Sequence, residues 1–438
     1  MKVSPARRAA YDVLHEVGAQ GAYANLTLSQ VLSGSDLSRA DRGLATDLVY
    51  TTLRRQLTLD AVLDTVVTRP LDDVDPRVLD VLRMAVAEHM YLDKPAHAVV
   101  DSAVNLAQSV GAGSARGFTN AILRKITARS AEQLLAAATK RMSGDAELAV
   151  RYSHPEWIIR AFRDVLGPAE LTALLEQDNV PPRVTLAARP ARLERAELPG
   201  EPTPWSPWGV YLERTDPGSL PEVRDGRAGV QDLGSQLMVL ALSRATVEGP
   251  DNHWLDMCAG PGGKTGLLAD LLPADGSLVA VEQHAHRARL VQAALRGTPG
   301  DVDVVVGDAG EVGGSFSRVL LDAPCSGLGV LRRRPESRWR RKVSDIPDLA
   351  ALQRRLLNHA LEVCEPGGVV AYVTCSPHLA ETDLVVEDVL RARDDAVQED
   401  AGALLPEVPE SVDGMAIRLW PHRHDTDGMY LALLRKRR

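Results

Sequence analysis

The second half of the chain alternates short apolar runs with helix-like stretches, and this alternation restricts the fold more than any other feature. From about residue 226 the apolar runs read HWLDM, SLVAVE, VDVVVG, RVLLDAP and GVVAYVT, with helical patterns over 263–272, 284–296 and 348–365 between most of them. Strand–helix alternation favours a parallel sheet with helices on both faces. The final segment, GMAIRLWPHRHDTDGMYLALLRK, predicts two strands joined by a tight polar loop, so an antiparallel hairpin closes the sheet.

The first 130 residues show helical periodicity instead. In SRADRGLATDLVYTTLRR, Leu48 and Leu53 recur near helical spacing, and Ser38 provides a start signal. Similar segments follow, with polar turns between them. Five to seven short helices of this kind predict a compact all-α bundle.

The segment between these two halves is proline-dense. Helical patterns over 133–141 and 155–177 give way to short strands, which indicates a small α+β connector. Trp205 and Trp208 lie in its strand-rich part, and we expect them to be buried. The sequence therefore predicts three domains: a helical bundle over 1–130, a connector over 131–225 and an α/β, Rossmann-like sheet domain over 226–438.

The cysteine pattern, the apolar runs and the charge indicate the cellular compartment and the class of partner. Four cysteines form no CxxC pair, so we expect free thiols, no disulfide framework and no metal site. The start lacks the apolar core of a secretory signal and no run of eighteen apolar residues exists, so we expect a cytoplasmic monomer without membrane contact. The net charge of −9 argues mildly against nucleic-acid binding, but it is an average over all faces of the protein and does not exclude a local basic surface. LRRRPESRWRRK carries seven Arg or Lys residues and one Glu, a local basic patch.

The stretch LDMCAGPGGKTG superficially resembles a phosphate-binding loop. The P-loop pattern requires Gly six residues before its Lys, and Cys258 stands there. Asp256 ends the preceding strand, where its carboxylate would repel phosphates. The glycines instead suit a nucleoside cofactor that approaches the backbone at the carboxyl ends of the strands.

Acidic residues end four successive predicted strands: Asp256, Glu282, Asp308 and Asp322. Such a row suits a cationic cofactor without phosphates, and S-adenosylmethionine has a sulfonium, an amino group, a ribose diol and an adenine. Glu282 would accept from the ribose hydroxyls and Asp308 from the adenine amino group. The alternative is that each acid caps the following helix.

Two cysteines, Cys325 and Cys375, directly follow consecutive predicted strands. A lone cysteine at a strand end is usually a small buried apolar residue, but a pair beside a cofactor site favours chemistry. Addition of a thiolate to C6 of a pyrimidine makes C5 nucleophilic enough to take a methyl group. Asp322 is the candidate acid near the base. The residues alone leave open which cysteine attacks.

The motifs DMCAGPGGKT, DAPCSGLGVLRRRPE and YVTCSPHLAET resemble those of the Fmu/Sun (RsmB-type) ribosomal RNA cytosine-C5 methyltransferases of the Nop2/Sun group. DRGLATDLVYTTLRR, YLDKPAHAVVDSAVNLA and GFTNAILRKI resemble the NusB-like RNA-binding domain that is fused to those enzymes. The resemblance implies transfer of a methyl group from S-adenosylmethionine to cytosine C5 in small-subunit ribosomal RNA.

The resemblance also implies residue roles. Cys375 of the TC motif would be the nucleophile, and Cys325 of the PC motif would assist product release. Gly260 replaces the second Ala of the usual CAAPGGK loop, and Glu381 is not followed by the Asn that the family often carries. The segment with Gln231 and Asp232 is expected near the active site. The implied cofactor contacts are Cys258, Ala259, Gly260, Pro261, Gly262, Gly263, Lys264, Glu282, Asp308 and Asp322.

The basic patch after Cys325 would contact RNA phosphates at the mouth of the pocket. The target base must leave its stack to reach the thiolate, so we expect recognition of a loop or an unstacked site. The alternatives are a non-catalytic RNA-binding or ribosome assembly factor, C5 methylation of another RNA such as tRNA, and a uracil- or DNA-directed enzyme. The predicted RNA contacts are Arg332, Arg333, Arg334, Arg338 and Arg340.

Overall fold

The computed structural model describes residues 3–213 and 215–438, which fold into two compact units. The helical unit contains the chain up to Val180 together with the segment Leu331–Arg341, and the sheet unit contains Pro181–Val330 and Lys342–Arg438. The chain thus leaves the sheet unit after Val330 and returns to it at Lys342. This division differs from the predicted one, because the helices of the predicted connector pack with the N-terminal helices and its strands belong with the large sheet.

The helical unit is built on a long central helix that begins after Ser38. The Ser38 side chain accepts a hydrogen bond from the Asp41 backbone N–H, as the start signal predicts. Leu48 and Leu53 of this helix lie in the core. The helices before Val180 are α1 (Pro5–Gln20), α2 (Ala24–Ser33), α3 (Arg39–Asp64), α4 (Pro76–Tyr91), α5 (Ala96–Ser109), α6 (Arg116–Thr127), α7 (Ala131–Thr139), α8 (Gly144–Tyr152), α9 (Glu156–Arg163) and α10 (Pro168–Gln177).

Helices α7–α10 belong to this unit because α7 and α8 pack on α3, α9 packs on α8 and α10 packs on α9. The Thr58 hydroxyl of α3 donates to the carbonyl of Val150 in α8 at 2.6 Å, and the Ser153 hydroxyl accepts from the N–H of Leu57 at 3.1 Å. The single helical stretch predicted over 155–177 is two helices. Pro168 starts the second one, since proline suits a first helical turn and cannot donate within a continuous helix.

The sheet unit begins with a small antiparallel sheet. Trp208 and Tyr211 are buried in it, and Trp205 is partly buried. Its strands follow the spatial order β2-β3-β1-β4. They are β1 (Val184–Ala188), β2 (Glu201–Pro202), β3 (Gly209–Leu212) and β4 (Ala228–Val230), with the short helix α11 (Pro221–Arg224) before β4.

The large sheet has a parallel centre and an antiparallel edge. Its order is β11-β12-β13-β9-β8-β5-β6-β7, with β10 paired to β13. Strands β5 to β9 pair in parallel, whereas β13 runs antiparallel to β9 and β12. The strands are β5 (His253–Asp256), β6 (Ser277–Glu282), β7 (Asp301–Val306), β8 (Phe316–Asp322), β9 (Cys364–Thr374), β10 (Ala396–Glu399), β11 (Val412–Asp413), β12 (Ala416–Leu419) and β13 (Met429–Lys436).

Helices cover both faces of this sheet, as the alternating pattern predicts. Leu237 and Leu267 pack on one face, and Leu357 and Val386 on the other. The helices are α12 (Leu233–Arg244), α13 (Gly263–Asp270) and α14 (Ala285–Ala294), then α15 (Ser337–Arg340) in the segment that joins the helical unit, then α16 (Ile346–Val363), α17 (Asp383–Arg391) and α18 (Pro421–His424).

The predicted hairpin is formed by β12 and β13, in which Ile417 lies opposite Leu431. The connection holds the short helix α18 rather than a tight loop, because Pro421 starts a helical turn there. Across the residues that the structure describes, no helix combines the length and the apolar character needed to cross a membrane.

Candidate active site

The carboxyl ends of four adjacent parallel strands, β8, β5, β6 and β7, meet at one edge of the large sheet. Asp256 lies beside Ala280 of β6, and Glu282 lies beside Val306 of β7. Asp322 lies beside Val373 of β9, two positions before the TC cysteine. The topology therefore gathers the predicted acids and both cysteine turns at the same edge.

The loop between β5 and α13 is tight because of its glycines. Gly262 caps α13 with a φ of 103°, a conformation that favours glycine. A Cβ atom at Gly262 would lie 2.9 Å from the Cα of Val291 in α14, so the loop runs directly against that helix. Ala259 is buried, Cys258, Gly260, Gly263 and Lys264 are partly exposed, and Pro261 is exposed.

Glu282 reaches back to this loop from the end of β6. Its carboxylate accepts from the N–H of Gly260 at 3.1 Å and from the N–H of His284 at 2.9 Å, and Arg287 lies 3.3 Å away. A Cβ at Gly260 would lie 2.1 Å from a Glu282 carboxylate oxygen. The glycine at this position therefore allows the close approach of the carboxylate to the loop backbone.

Asp308 holds the turn after β7. Its carboxylate accepts from the N–H of Gly310 at 2.8 Å and from the Arg355 guanidinium at 3.1 Å. The Gly310 N–H, followed by Arg355, lowers the pKa of Asp308 against the opposing effect of burial. The carboxylate is therefore charged, and about a third of its side chain is exposed.

Asp256 differs from the other three acids. It is buried and accepts a hydrogen bond from the Thr265 hydroxyl of α13 at 2.7 Å. Burial raises its pKa to about 7. The expectation that all four strand-end acids face a cationic cofactor is therefore wrong for Asp256, which supports the first turn of the following helix instead.

Lys264 and Asp322 form an ion pair beside the cysteines. Their Nζ and Oδ2 atoms are 2.7 Å apart, and their side chains are 13% and 27% exposed. Burial lowers the pKa of Lys264, but the charge and hydrogen bond of Asp322 outweigh burial and Cys375 adds to their effect, so the pKa is raised. Lys264 therefore holds a proton, and Asp322 accepts a hydrogen bond in this arrangement.

The two cysteines are in contact. The Sγ atoms of Cys325 and Cys375 are 3.4 Å apart, and both residues are partly exposed. The hydrogen bond with Cys375, then burial, then the charges of Cys375 and Glu381 raise the pKa of Cys325 well above its ordinary value. Cys325 thus keeps its proton, and the geometry allows either sulfur to be the donor in this contact.

The segment before α12 also reaches the cofactor loop. A Cβ at Gly263 would lie 3.5 Å from the Gln231 side chain, so Gln231 is adjacent to the loop. Asp232 caps α12 through the N–H of Gly234 at 2.7 Å and accepts from the N–H of Asp427 at 3.0 Å.

Two residues of this region were not among the predicted site residues. Arg189, buried after β1, donates to the carbonyl of Gly263 at 3.1 Å, and a Cβ at Gly266 would lie 2.7 Å from its Cζ. Glu381 lies buried between the two cysteine turns. Arg189 follows a short strand in a proline-rich stretch with no local signal, whereas Glu381 is marked only by its place in the TC motif.

The predicted RNA-contacting arginines belong to the helical unit, and most of them are not on open surface. Arg332 and Arg338 are buried, and the Arg340 guanidinium donates to the carbonyls of Val17 and Ala22. Arg333 is partly exposed and Arg334 is exposed. The expected solvent-facing basic patch is therefore wrong for Arg332 and Arg338, which are buried; the Arg338 guanidinium binds main-chain and side-chain groups inside the unit.

Sequence comparisons match residues 4–128 to the NusB family and residues 245–435 to the 16S rRNA methyltransferase RsmB/F family. A Mycobacterium tuberculosis protein, whose name says methyltransferase and gives no substrate, is 44% identical over 99% of this chain and 97% of its own length. Ribosomal RNA small subunit methyltransferase B of Pseudomonas syringae pv. tomato is 31% identical over 98% of this chain and 96% of its own length.

Among solved structures, the crystal structure of PH0851 matches with a TM-score of 0.81 at 22% identity, covering 100% of both chains, which establishes the shared fold. The NusB match lies within the helical unit, and the methyltransferase match covers the strands of the large sheet. The chain belongs to the RsmB/F family of S-adenosylmethionine-dependent RNA cytosine-C5 methyltransferases and carries an N-terminal NusB-family domain.

Proposed function

We propose that this chain methylates C5 of a cytosine in small-subunit ribosomal RNA through a covalent bond between Cys375 and C6 of the base. S-adenosylmethionine, when bound, supplies an electrophilic methyl group. C5 of cytosine is a poor nucleophile until the Cys375 thiolate adds to C6, which gives C5 enamine-like electron density. Loss of the C5 proton and elimination of the Cys375 thiolate then restore the aromatic ring.

The observation that carries this proposal is the 3.4 Å contact between the two sulfurs. Because its raised pKa keeps Cys325 protonated, Cys325 is the poorer nucleophile of the two, and we assign the addition to Cys375. The same Cys325 thiol can donate to Cys375 as its sulfur leaves C6, which stabilises the departing thiolate. Cys375 is therefore the nucleophile and Cys325 the residue that assists release.

The Lys264–Asp322 pair provides the polar groups for the N3 and N4 edge of the base. Addition at C6 places negative charge on N3, and a proton or a cation at N3 stabilises it. Lys264 holds that proton in the pair, at 2.7 Å from Asp322. Asp322, expected to be the acid, serves as the acceptor that positions Lys264 and can accept from the exocyclic amine.

The cofactor loop has the shape and charge for S-adenosylmethionine. Side chains at Gly260 and Gly262 would collide with Glu282 and with Val291, so these glycines keep the loop close to β6 and α14. Glu282 and Asp308 would take the ribose hydroxyls and the adenine amino group at the ends of β6 and β7. Carboxylates at these places favour a positively charged ligand over one that carries phosphates.

RNA contacts are proposed for the exposed part of the helical unit. Arg334 is exposed, and its guanidinium lies 5.7 Å from the ring centroid of Tyr23, which is 50% exposed. An exposed aromatic ring next to an arginine can stack an unpaired base and neutralise a neighbouring phosphate. The neutralisation makes binding weaker at higher salt.

The proposal is tested with labelled S-adenosylmethionine and unmodified small-subunit ribosomal RNA, both free and in assembly intermediates. Cys375→Ala should abolish transfer of label. Cys325→Ala should accumulate a protein–RNA adduct that survives denaturing gels, because release lacks its thiol donor. Cys364→Ala is the matched control, since its thiol is buried at the start of β9, and this variant should transfer label normally.

Each contrary result has a defined meaning. An adduct that accumulates in Cys375→Ala instead would reverse the two cysteine roles. Label found on tRNA, on uracil or on DNA would identify that molecule or base as the substrate, in place of cytosine in small-subunit ribosomal RNA. An absence of label with every RNA and assembly intermediate would favour a binding factor that keeps the fold without the reaction.

We also propose that the protein works as a cytoplasmic monomer. All four cysteines are free thiols, which suits a reducing compartment. Cell fractionation and size-exclusion chromatography of the full chain test the two parts of this proposal separately.

A further inference from the structure

A buried carboxylate lies between the turns that carry the two cysteines. Glu381 is fully buried, and its Oε1 accepts from the N–H of Ser326 at 2.7 Å and from the Gln353 amide at 3.2 Å. Its Oε2 accepts from the hydroxyls of Ser326 at 2.5 Å and of Ser376 at 2.7 Å. Ser326 follows Cys325 and Ser376 follows Cys375, so one carboxylate is bonded to both turns.

We infer that Glu381 is a positioning residue for the cysteine pair, and that its carboxylate fixes the separation of the two sulfurs by tying the Ser326 and Ser376 turns together. Four donors converge on the carboxylate. An ionised carboxylate only accepts hydrogen bonds, so this form matches its surroundings. The inference rests on the proposed function, since that function requires the two thiols to act on one base.

The surroundings hold Glu381 itself in place. Its carbonyl accepts from the Tyr372 hydroxyl at 2.7 Å, and Tyr372 is a buried residue of β9. Gln353 of α16 also donates to the carbonyl of Pro324, directly before Cys325, at 2.8 Å. Glu381 is therefore held by a strand at its main chain and by a helix at its carboxylate, which makes it a fixed reference for both turns.

The charge of Glu381 has a second effect. It is one of the groups that raise the pKa of Cys325, after the hydrogen bond with Cys375, burial and the charge of Cys375. A negative charge near Cys325 keeps that thiol protonated. Glu381 thus helps to keep the Cys325 thiol protonated, in addition to its effect on the distance between the sulfurs.

Two variants separate the geometric effect from the effect of charge. Ser376→Ala removes the bond between the carboxylate and the TC turn, together with the 3.1 Å contact between the Ser326 and Ser376 hydroxyls, but leaves the charge. Glu381→Gln keeps the shape of the side chain and removes the charge. Glu399→Gln is the control, because Glu399 pairs with Arg435 on the distant strand β10, at 2.9 Å, and touches neither cysteine turn.

The first measurement reports the distance between the thiols. The full chain is treated with dibromobimane, which bridges only thiols that lie close together, and the Cys325–Cys375 cross-link is quantified by peptide mass spectrometry. We expect the yield to fall in Ser376→Ala and to match the wild type in Glu399→Gln. A wild-type yield in Ser376→Ala would overturn the inference, whatever the other variant shows.

The second measurement reports the proton on Cys325. The alkylation rate of each cysteine is followed against pH, and the midpoint for Cys325 should move down in Glu381→Gln by on the order of one pH unit, the size of shift that one nearby like charge causes. An unchanged midpoint would overturn the effect of charge and leave Glu381 with its geometric role alone. If Glu381→Gln does not fold, Ser376→Ala decides the inference alone.

Both measurements use the thiols and need no methyl transfer. They therefore give an answer even if the substrate proposed above is wrong. Where the RNA reaction is active, kcat should fall in Glu381→Gln while KM for S-adenosylmethionine is unchanged, because Glu381 touches neither the cofactor loop nor its acids.

Discussion

Replacing Arg338 with alanine should unfold the helical unit at a lower temperature rather than weaken RNA binding directly. Arg338 is fully buried. Its guanidinium donates to the carbonyls of Arg54 at 2.9 Å, Ser153 at 3.0 Å and Asp178 at 2.7 Å, and to the Asn179 side chain at 2.9 Å. One side chain therefore joins α3 to the residues that follow α8 and α10.

The size of the effect follows from these four bonds. Alanine leaves four buried acceptors without their donor, at about 1 kcal/mol each. Burial lowers the pKa of Arg338 to about 9, so desolvation of the charge already offsets part of what the bonds supply. We therefore expect a loss of about 3 to 4 kcal/mol from the four bonds. At 2 to 4 °C for each kcal/mol, Tm should fall by roughly 10 °C.

Thermal unfolding of the full chain, followed by circular dichroism, measures this loss. Arg334→Ala is the matched control, because this exposed arginine of the same segment should change Tm little. Filter binding with ribosomal RNA well below both Tm values completes the test. An unchanged Tm for Arg338→Ala together with weaker RNA binding would refute the reasoning. It would indicate instead that Arg338 contacts RNA, as the sequence predicted.

Asp256→Asn should become more stable relative to the wild type as pH rises from about 4 to 7, by at most about 4 kcal/mol, because a carboxyl with a raised pKa loses stability over that window; a pH-independent difference in urea unfolding would contradict this. Gly262→Ala should lose binding of S-adenosylhomocysteine in calorimetry, since its Cβ would press on Val291 and the φ of 103° is strained for alanine; unchanged affinity would show that the loop can move. Arg334→Ala should flatten the salt dependence of RNA binding, and an identical slope would make Arg334 plain surface.

Local sequence patterns predicted the elements of the sheet unit well. The run SLVAVE is the strand Ser277–Glu282, and the helical pattern over 284–296 is the helix Ala285–Ala294. Periodicity and helix capping depend on residues that are close together in the chain, so they can be recognised from the sequence alone. The two cysteines could also be placed at one edge, because parallel neighbouring strands put their carboxyl ends side by side.

Whether a charged residue is buried or exposed could not be predicted in the same way. Arg338 was expected on the surface and lies in the core of the helical unit, and Asp256 was expected to face a cofactor and supports Thr265. A charge is buried when distant groups supply its hydrogen bonds, and no local pattern reports those groups. Arg338 and Arg54 are 284 positions apart in the chain.

The sequence by itself determined the strand–helix alternation, the acids and thiols at the strand ends and the family that those motifs mark, since each depends on residues close together in the chain. Only the tertiary structure decided that Leu331–Arg341 belongs to the helical unit and that Glu381 ties the two cysteine turns together. The physical reason is that these features depend on which distant groups satisfy a buried polar side chain.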